Sequence, residues 1–288
     1  MSRQSFSLTG SSLKKIAIIT MLIDHIGACV FERGFLLVEE MRNDNALFEM
    51  LRDTDHILRL IGRVSFPIFC FLLTEGFLHT HDRKKYALRL FLFALVSEIP
   101  FDLAIQNRFF DPAHQNVFFT LLIGLLAMML CDYFGQKKKH AAQLFSLLGA
   151  LLLAHFLHTD YSYRGIFLIE LLYIFRYNRV NQVIAGAAAF SWETTAPLAF
   201  IPIWFYNGER GKSGKWFFYW FYPMHLLILW GMKTFLLPLL CAVENLYPRK
   251  VFYASTTRYF PPGSANTSDA CKISSFESCS ASIPLSSR

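Results

Sequence analysis

Apolar residues run along this chain in long, nearly continuous blocks, broken by short polar connections. The blocks cover residues 13–31, 57–79, 86–105, 117–134, 141–158, 165–177, 180–192, 194–206 and 216–237. About 20 residues at 1.5 Å each cross a hydrocarbon core, so most of these blocks match a membrane-spanning helix. The sixth to eighth are short and run almost head to tail, and the seventh and eighth together also fit one broken helix. None shows the strict alternation that a membrane β-barrel strand requires. The pattern predicts an all-α fold, a polytopic helical membrane bundle of about nine transmembrane helices.

Charge in the connections sets the orientation. Arg3 precedes the first block and Lys14 and Lys15 stand at its start, and the next connection is acidic, with Glu39, Glu40, Asp44, Glu49, Asp53 and Asp55. Basic "HDRKK" (81–85), "QKKKH" (136–140), "RYNR" (176–179) and "GERGKSGK" (208–215) then alternate with weakly charged connections. Every second connection is positive, which predicts a cytoplasmic N-terminus.

Composition agrees with a lipid solvent. Hydrophobic residues make up 54% of the 288 and charged residues 17%, against about a quarter charged in a soluble domain. Because the net charge of +7 concentrates in alternate connections, it needs no nucleic acid to explain it. Residues 13–31 follow basic positions but precede no small-residue cleavage site, so they read as a first span and not as a signal peptide. The six cysteines lack metal-ligand spacing, and Cys29, Cys70, Cys131 and Cys241 read as small buried hydrophobes. Residues 241–288, rich in Ser, Thr and Pro, read as a disordered tail on a 1–240 membrane domain.

Against this background the intramembrane polar residues stand out. An ionisable group at the helix centre costs at least ~2.5–3.5 kcal/mol, and such groups face partners or water-filled cavities. The first block carries Asp24 and His25 side by side; later ones carry Arg59, Arg63, Glu75, Glu98, Asp102, Glu170 and His225. His25 lies roughly 16 Å into its helix from Lys14, and His225 roughly 14 Å past Trp216, so the two histidines share a depth. Arg59 and Arg63, like Glu98 and Asp102, are spaced i, i+4 and share a helix face. Both pairs fall in the outer halves of their spans. Pro100 is expected to open the backbone ladder between the acids, and Asn116, beside Gln115, reads as the N-cap of the fourth span. Two readings stay open: an ion-pair network that only holds helices together, or a site in which His25 serves as a base near neutral pH. A proton relay in a transporter would use the same residue types, but the chain shows no paired halves.

Six segments carry a resemblance in their order: "LKKIAIITMLIDHIGA", "LRLIGRVSFPIFCFLLTEGFLHTHDRKKYALRLFLFALVSEIPFDLA", "QNVFFTLLIGLLAM", "DYSYRGIFLI", "IPIWFYNGERG" and "KWFFYWFYPMHLLIL". Over residues 12–235 the chain resembles the TraX family, whose name-giving member is an inner-membrane protein that N-acetylates the pilin of conjugative pili. The resemblance implies a multi-pass protein of the bacterial inner membrane. It would move an acetyl group from acetyl-CoA, without a metal, to a membrane-associated acceptor: a pilin N-terminus, a glycan, a lipid or an amine. A looser similarity joins it to integral-membrane acyltransferases of the acyltransferase-3 type. In those, ten residues separate a basic residue from a histidine, as between Lys14 and His25, and an Arg-x-x-x-Arg motif recurs, as in Arg59 and Arg63. Carried over, His25 is the catalytic base with Asp24 or a neighbouring acid orienting it, and the arginines meet the donor's phosphates. Glu75, Glu98, Asp102, Gln115, Asn116 and His225 then line the substrate site. Arginines near the outer face fit poorly with a cytoplasmic donor. Either CoA reaches deep, or the arginines bind the acceptor, or the second span lies elsewhere. A transporter or a non-catalytic pilus-assembly protein are the alternatives.

Overall fold

A computed structural model describes residues 7–212, 214–236 and 238; the expected disordered tail over 241–288 lies outside them. The described residues are helical, joined by short turns and two isolated bridges. In chain order the helices are α1 (Gly10–Ile26), α2 (Glu39–Asn43), α3 (Asn45–Gly62), α4 (Ser65–His79), α5 (Arg83–Phe101), α6 (Val117–Gln136), α7 (His140–Phe156), α8 (Ser162–Ile174), α9 (Arg179–Ala189), α10 (Phe200–Trp204) and α11 (Lys215–Gly231). Two helical stretches are long and apolar enough to cross a membrane: Asn45–His79, counted through a turn at Arg63 and Val64, and Val117–Gln136. His140–Phe156 is apolar but shorter.

Helix α4 occupies the middle, with Phe71, Ile68 and Phe77 wholly buried among α1, α6 and α8. The outside is as apolar as the inside. Phe145 and Phe156 of α7 are 71% and 72% exposed, and Leu88, Leu92 and Leu95 of α5 are also exposed. Contiguous exposed apolar surface on this scale suits lipid better than water.

The boundaries differ from the sequence pattern in two places. The second block begins at Asn45 and not at 57, because Asp44 caps α3 by accepting from the Leu47 amide at 3.1 Å. Helix α3 is amphipathic: Leu47, Leu51, Leu58 and Gly62 turn inward while Glu49 and Asp53 stay exposed, so its acidic face reads as a loop. The eighth block is no single helix. It is a 3-10 turn, Ala196–Ala199, leading into the five-residue α10. Pro197 and Pro202 lack the amide hydrogens a longer helix needs.

Pro100 does not end α5, which continues to Phe101 and only then widens into a π-helical segment, Asp102–Gln106. Helices α1 and α11 end the same way, in Gly27–Glu32 and Met232–Leu236. Two cations meet the carbonyls at this end. Arg33 Nη1 donates to the Ile105 carbonyl at 2.5 Å, and buried Lys233 Nζ to the Ala104 carbonyl at 3.0 Å.

At the opposite end, α1 is tied to the segment leading into α11. The Leu8 amide donates to Phe205 and the Asn207 amide back to Leu8; the Gly10 and Ser11 amides donate to Glu209 and Arg210, all within 2.8–2.9 Å. Amides that would be orphaned at a helix N-terminus are thereby satisfied by this segment. The same staple holds α1 beside α11.

Candidate active site

Asp24 and His25 are neighbours in the chain but not in space, because successive helical residues diverge by about 100°. Asp24 faces α3. Its Oδ2 accepts from Arg59 Nη1 at 2.5 Å, and the same nitrogen reaches the Asp24 carbonyl at 3.3 Å. Gly62 makes this contact possible: a Cβ there would overlap the Asp24 side chain, and Gly27 likewise leaves room for the Arg59 stem. The expectation that Asp24 orients His25 is therefore corrected: the carboxylate is committed to an arginine on another helix.

His25 faces α11 instead. Its Nδ1 lies 2.7 Å from His225 Nε2, and His225 Nδ1 lies 2.7 Å from the Phe221 carbonyl. A carbonyl only accepts, so His225 carries its proton on Nδ1. Neutral His225 then presents a lone pair at Nε2, and His25 must donate from Nδ1. By this chain His25 Nε2 is left with the lone pair, the atom a base needs. The ring of Phe221 stacks on His225 at 4.9 Å, and Tyr222 stands edge-on to both histidines. The depth shared by the two histidines is thus realised as a contact.

Arg63 caps α3 at the turn into α4, and its Nε lies 3.2 Å from Glu193 Oε2. Beside it the connection between α7 and α8 is drawn in tightly. Gln115 and residues 158–160 exchange backbone hydrogen bonds, and Thr120 Oγ1 donates to the Asp160 carbonyl. Tyr161 stacks on Phe66 at 3.7 Å with the rings nearly parallel, and has φ of +60°; Ser162 follows at +46°. Two successive non-glycine residues in the left-handed region cost of order 1–3 kcal/mol each, and such strain gathers at functional sites. Burial, then the charge of Asp24, pushes the Asp160 carboxyl up to about 6, with Arg63 and Arg59 pulling it down.

The other sequence candidates divide. Asn116 caps α6, its Oδ1 accepting from the Phe118 amide at 3.0 Å, as its position predicts. Its Nδ2 donates to Ala94 at 2.8 Å and to Glu98 Oε2. Asp102 Oδ2 accepts from the Asp111 amide at 2.8 Å. Glu98 and Asp102 therefore hold the α5–α6 connection and make no ion pair with Arg59 or Arg63, whose acids are Asp24 and Glu193. Gln115 shapes the loop through Pro112 at 3.0 Å. Glu75 stands apart, near Arg179 and Tyr206 in the last turns of α4. Glu193, Asp160, Tyr161 and Tyr222 join the site without having been singled out from the sequence. Among the described residues no group of three or more His, Cys, Asp or Glu is placed to hold a metal.

Comparison with known proteins places this arrangement. No solved structure matches the chain. A protein of Dichelobacter nodosus named "Probable fimbrial assembly protein FimC, serogroup H1" is 28% identical over 264 residues, covering 81% of this chain and 99% of that one. The family model described as TraX protein matches residues 9–233, which take in the histidine pair, both arginines and their acids. The chain belongs to the TraX family.

Proposed function

We propose that this protein is a multi-pass acetyltransferase of the inner membrane, with His25 as its base and acetyl-CoA as its donor. The hydrogen-bond chain from His25 through His225 to the Phe221 carbonyl carries this reading, because it leaves His25 Nε2 unprotonated. An acceptor amine or hydroxyl attacks the thioester carbonyl while His25 Nε2 takes its proton. The new bond to carbon forms, the C–S bond breaks, and the proton passes from His25 to the departing CoA sulfur. His225 keeps the imidazole in the required tautomer and accepts from Nδ1–H, the role a carboxylate fills in other dyads. Arg59 stands beside His25's helix at the level of Asp24, so a donor whose phosphates reached it would compete with a carboxylate already bound there. The acceptor is a membrane-associated pilin N-terminus, glycan, lipid or amine.

The alternating basic connections support a multi-pass topology with a cytoplasmic N-terminus; accessibility of single cysteines placed in each connection tests that topology. For the reaction, purified protein is incubated with labelled acetyl-CoA and candidate acceptors. Label should transfer with the parent chain and not with a folded His25→Ala variant. Equal transfer by both removes His25 as base. A second reading, a pilus-assembly factor without chemistry, is favoured by the printed name of the Dichelobacter relative. It predicts partner binding with no acetyl transfer under any condition.

A further inference from the structure

A second polar site lies far from the histidine pair. Cys131 is 15 residues along α6 from Asn116, roughly 22 Å at helical rise. There α6, α7 and α8 part around a cavity of about 440 Å³. Its floor is Glu170, 2% exposed, whose Oε1 has no hydrogen-bond partner. The Cys131 thiol hydrogen-bonds the Glu170 carboxyl, and the other neighbouring groups are committed elsewhere. Asp132 is paired with Arg83 at 2.5 Å, and Gln143 bonds the Cys131 carbonyl at 2.9 Å and His140 at 3.0 Å. Among the described residues no cation forms an ion pair with Glu170. Leu144, Leu147 and Ile174 make one wall apolar, and Arg176 stands at the rim against the rings of Tyr173 and Tyr177.

A buried carboxyl without a cation either keeps its proton or takes a cationic partner. The cavity supplies a route for such a partner, a mouth carrying positive charge, and apolar surface continuous with α7, whose outer residues are exposed. We propose that this cavity binds a primary ammonium group borne next to a phosphate, with the ammonium on Glu170 and the phosphate at Arg176. A phospholipid of the ethanolamine type carries both groups and would lay its chain along Leu144 and Leu147. Free phosphoethanolamine carries the same groups without the chain. The proposal stands apart from acetyl transfer, since none of these residues belongs to the histidine site.

The test uses the full chain, delipidated in detergent and then supplied with phosphatidylethanolamine, phosphatidylcholine, phosphatidylglycerol or phosphoethanolamine. Phosphatidylethanolamine should raise the thermal midpoint of the parent protein above the other two lipids. Glu170→Gln should weaken that binding at least tenfold, because the shape stays and the charge goes. A response to phosphoethanolamine equal to that of the lipid upholds the amine site and assigns it to a soluble ligand. Should Glu170→Gln fail to fold, labelling of Glu170 by a hydrophobic carbodiimide in the parent chain replaces it, with phosphatidylethanolamine protecting the residue. The proposal is overturned if no amine stabilises or protects, or if phosphatidylcholine does so equally, or if parent and Glu170→Gln respond alike.

Discussion

The two faces of α1 solve the same problem in different ways. On the α3 face a carboxylate meets a guanidinium at 2.5 Å, with Gly62 and Gly27 cleared to let them close. On the α11 face two imidazoles meet at 2.7 Å without requiring any net charge. The first arrangement is locked: each partner loses its compensation if the other leaves. In the second the shared proton stays on His25 Nδ1, and His25 Nε2 can gain or lose another without breaking the contact. One turn of helix thus carries an ion pair on one side and a contact between imidazoles on the other.

Variants that touch one face at a time separate these roles. His25→Ala is expected to lower acetyl transfer by about 10²–10⁴-fold, the usual contribution of a positioned base, while leaving the thermal midpoint nearly unchanged; labelled-acetyl assays beside thermal unfolding read both. Arg59→Ala should do the reverse in kind. Leaving half-buried Asp24 without Arg59 costs up to about 3 kcal/mol, the lower end for a broken buried pair, and Arg59→Ala with Asp24→Asn should recover part of it. Gly62→Ala forces a methyl into the Asp24 side chain and is expected to destabilise by about 1–3 kcal/mol, as overpacking does, again in unfolding midpoints. The smallest effect concerns Asp160. Its carboxyl ionises near 3.8 ordinarily and near 6 in the fold, so the folded chain holds the proton more tightly. Its contribution to stability is present below about pH 4 and lost as pH rises through 6. Asp160→Asn should flatten that part of the pH–stability curve; an unchanged curve would show that the carboxyl is not held this way.

Much of the histidine site was legible because membrane helices make polar residues conspicuous. Asp24, His25 and His225 stood out by cost alone, and depth counting put the histidines level. What counting lacked was rotation. The i, i+1 spacing of Asp24 and His25 looks like a pair on paper, whereas on a helix it separates them. The true partners were harder to find. Glu193 and Asp160 lie in short connections, where acids are unremarkable, and only tertiary folding sets Glu193 against Arg63 and brings Asp160 into the field of both arginines. The start of α3 carried a readable signal, Asp44 before the inward spacing of Leu47, Leu51 and Leu58, but the acidic outer face masked it. The pair of prolines at 197 and 202 announced that the eighth block would not run as one helix.

The staple between α1 and residues 205–210 has a consequence in time. His25 is made early and His225 two hundred residues later, so the first helix waits through nearly the whole of synthesis for the groups that satisfy its N-terminal amides and complete its histidine pair. A chain cut short before α11 can thread its earlier helices but holds an isolated imidazole, without a tautomer imposed upon it. The histidine contact is thus among the last to form, since neither ring has its partner until α11 arrives.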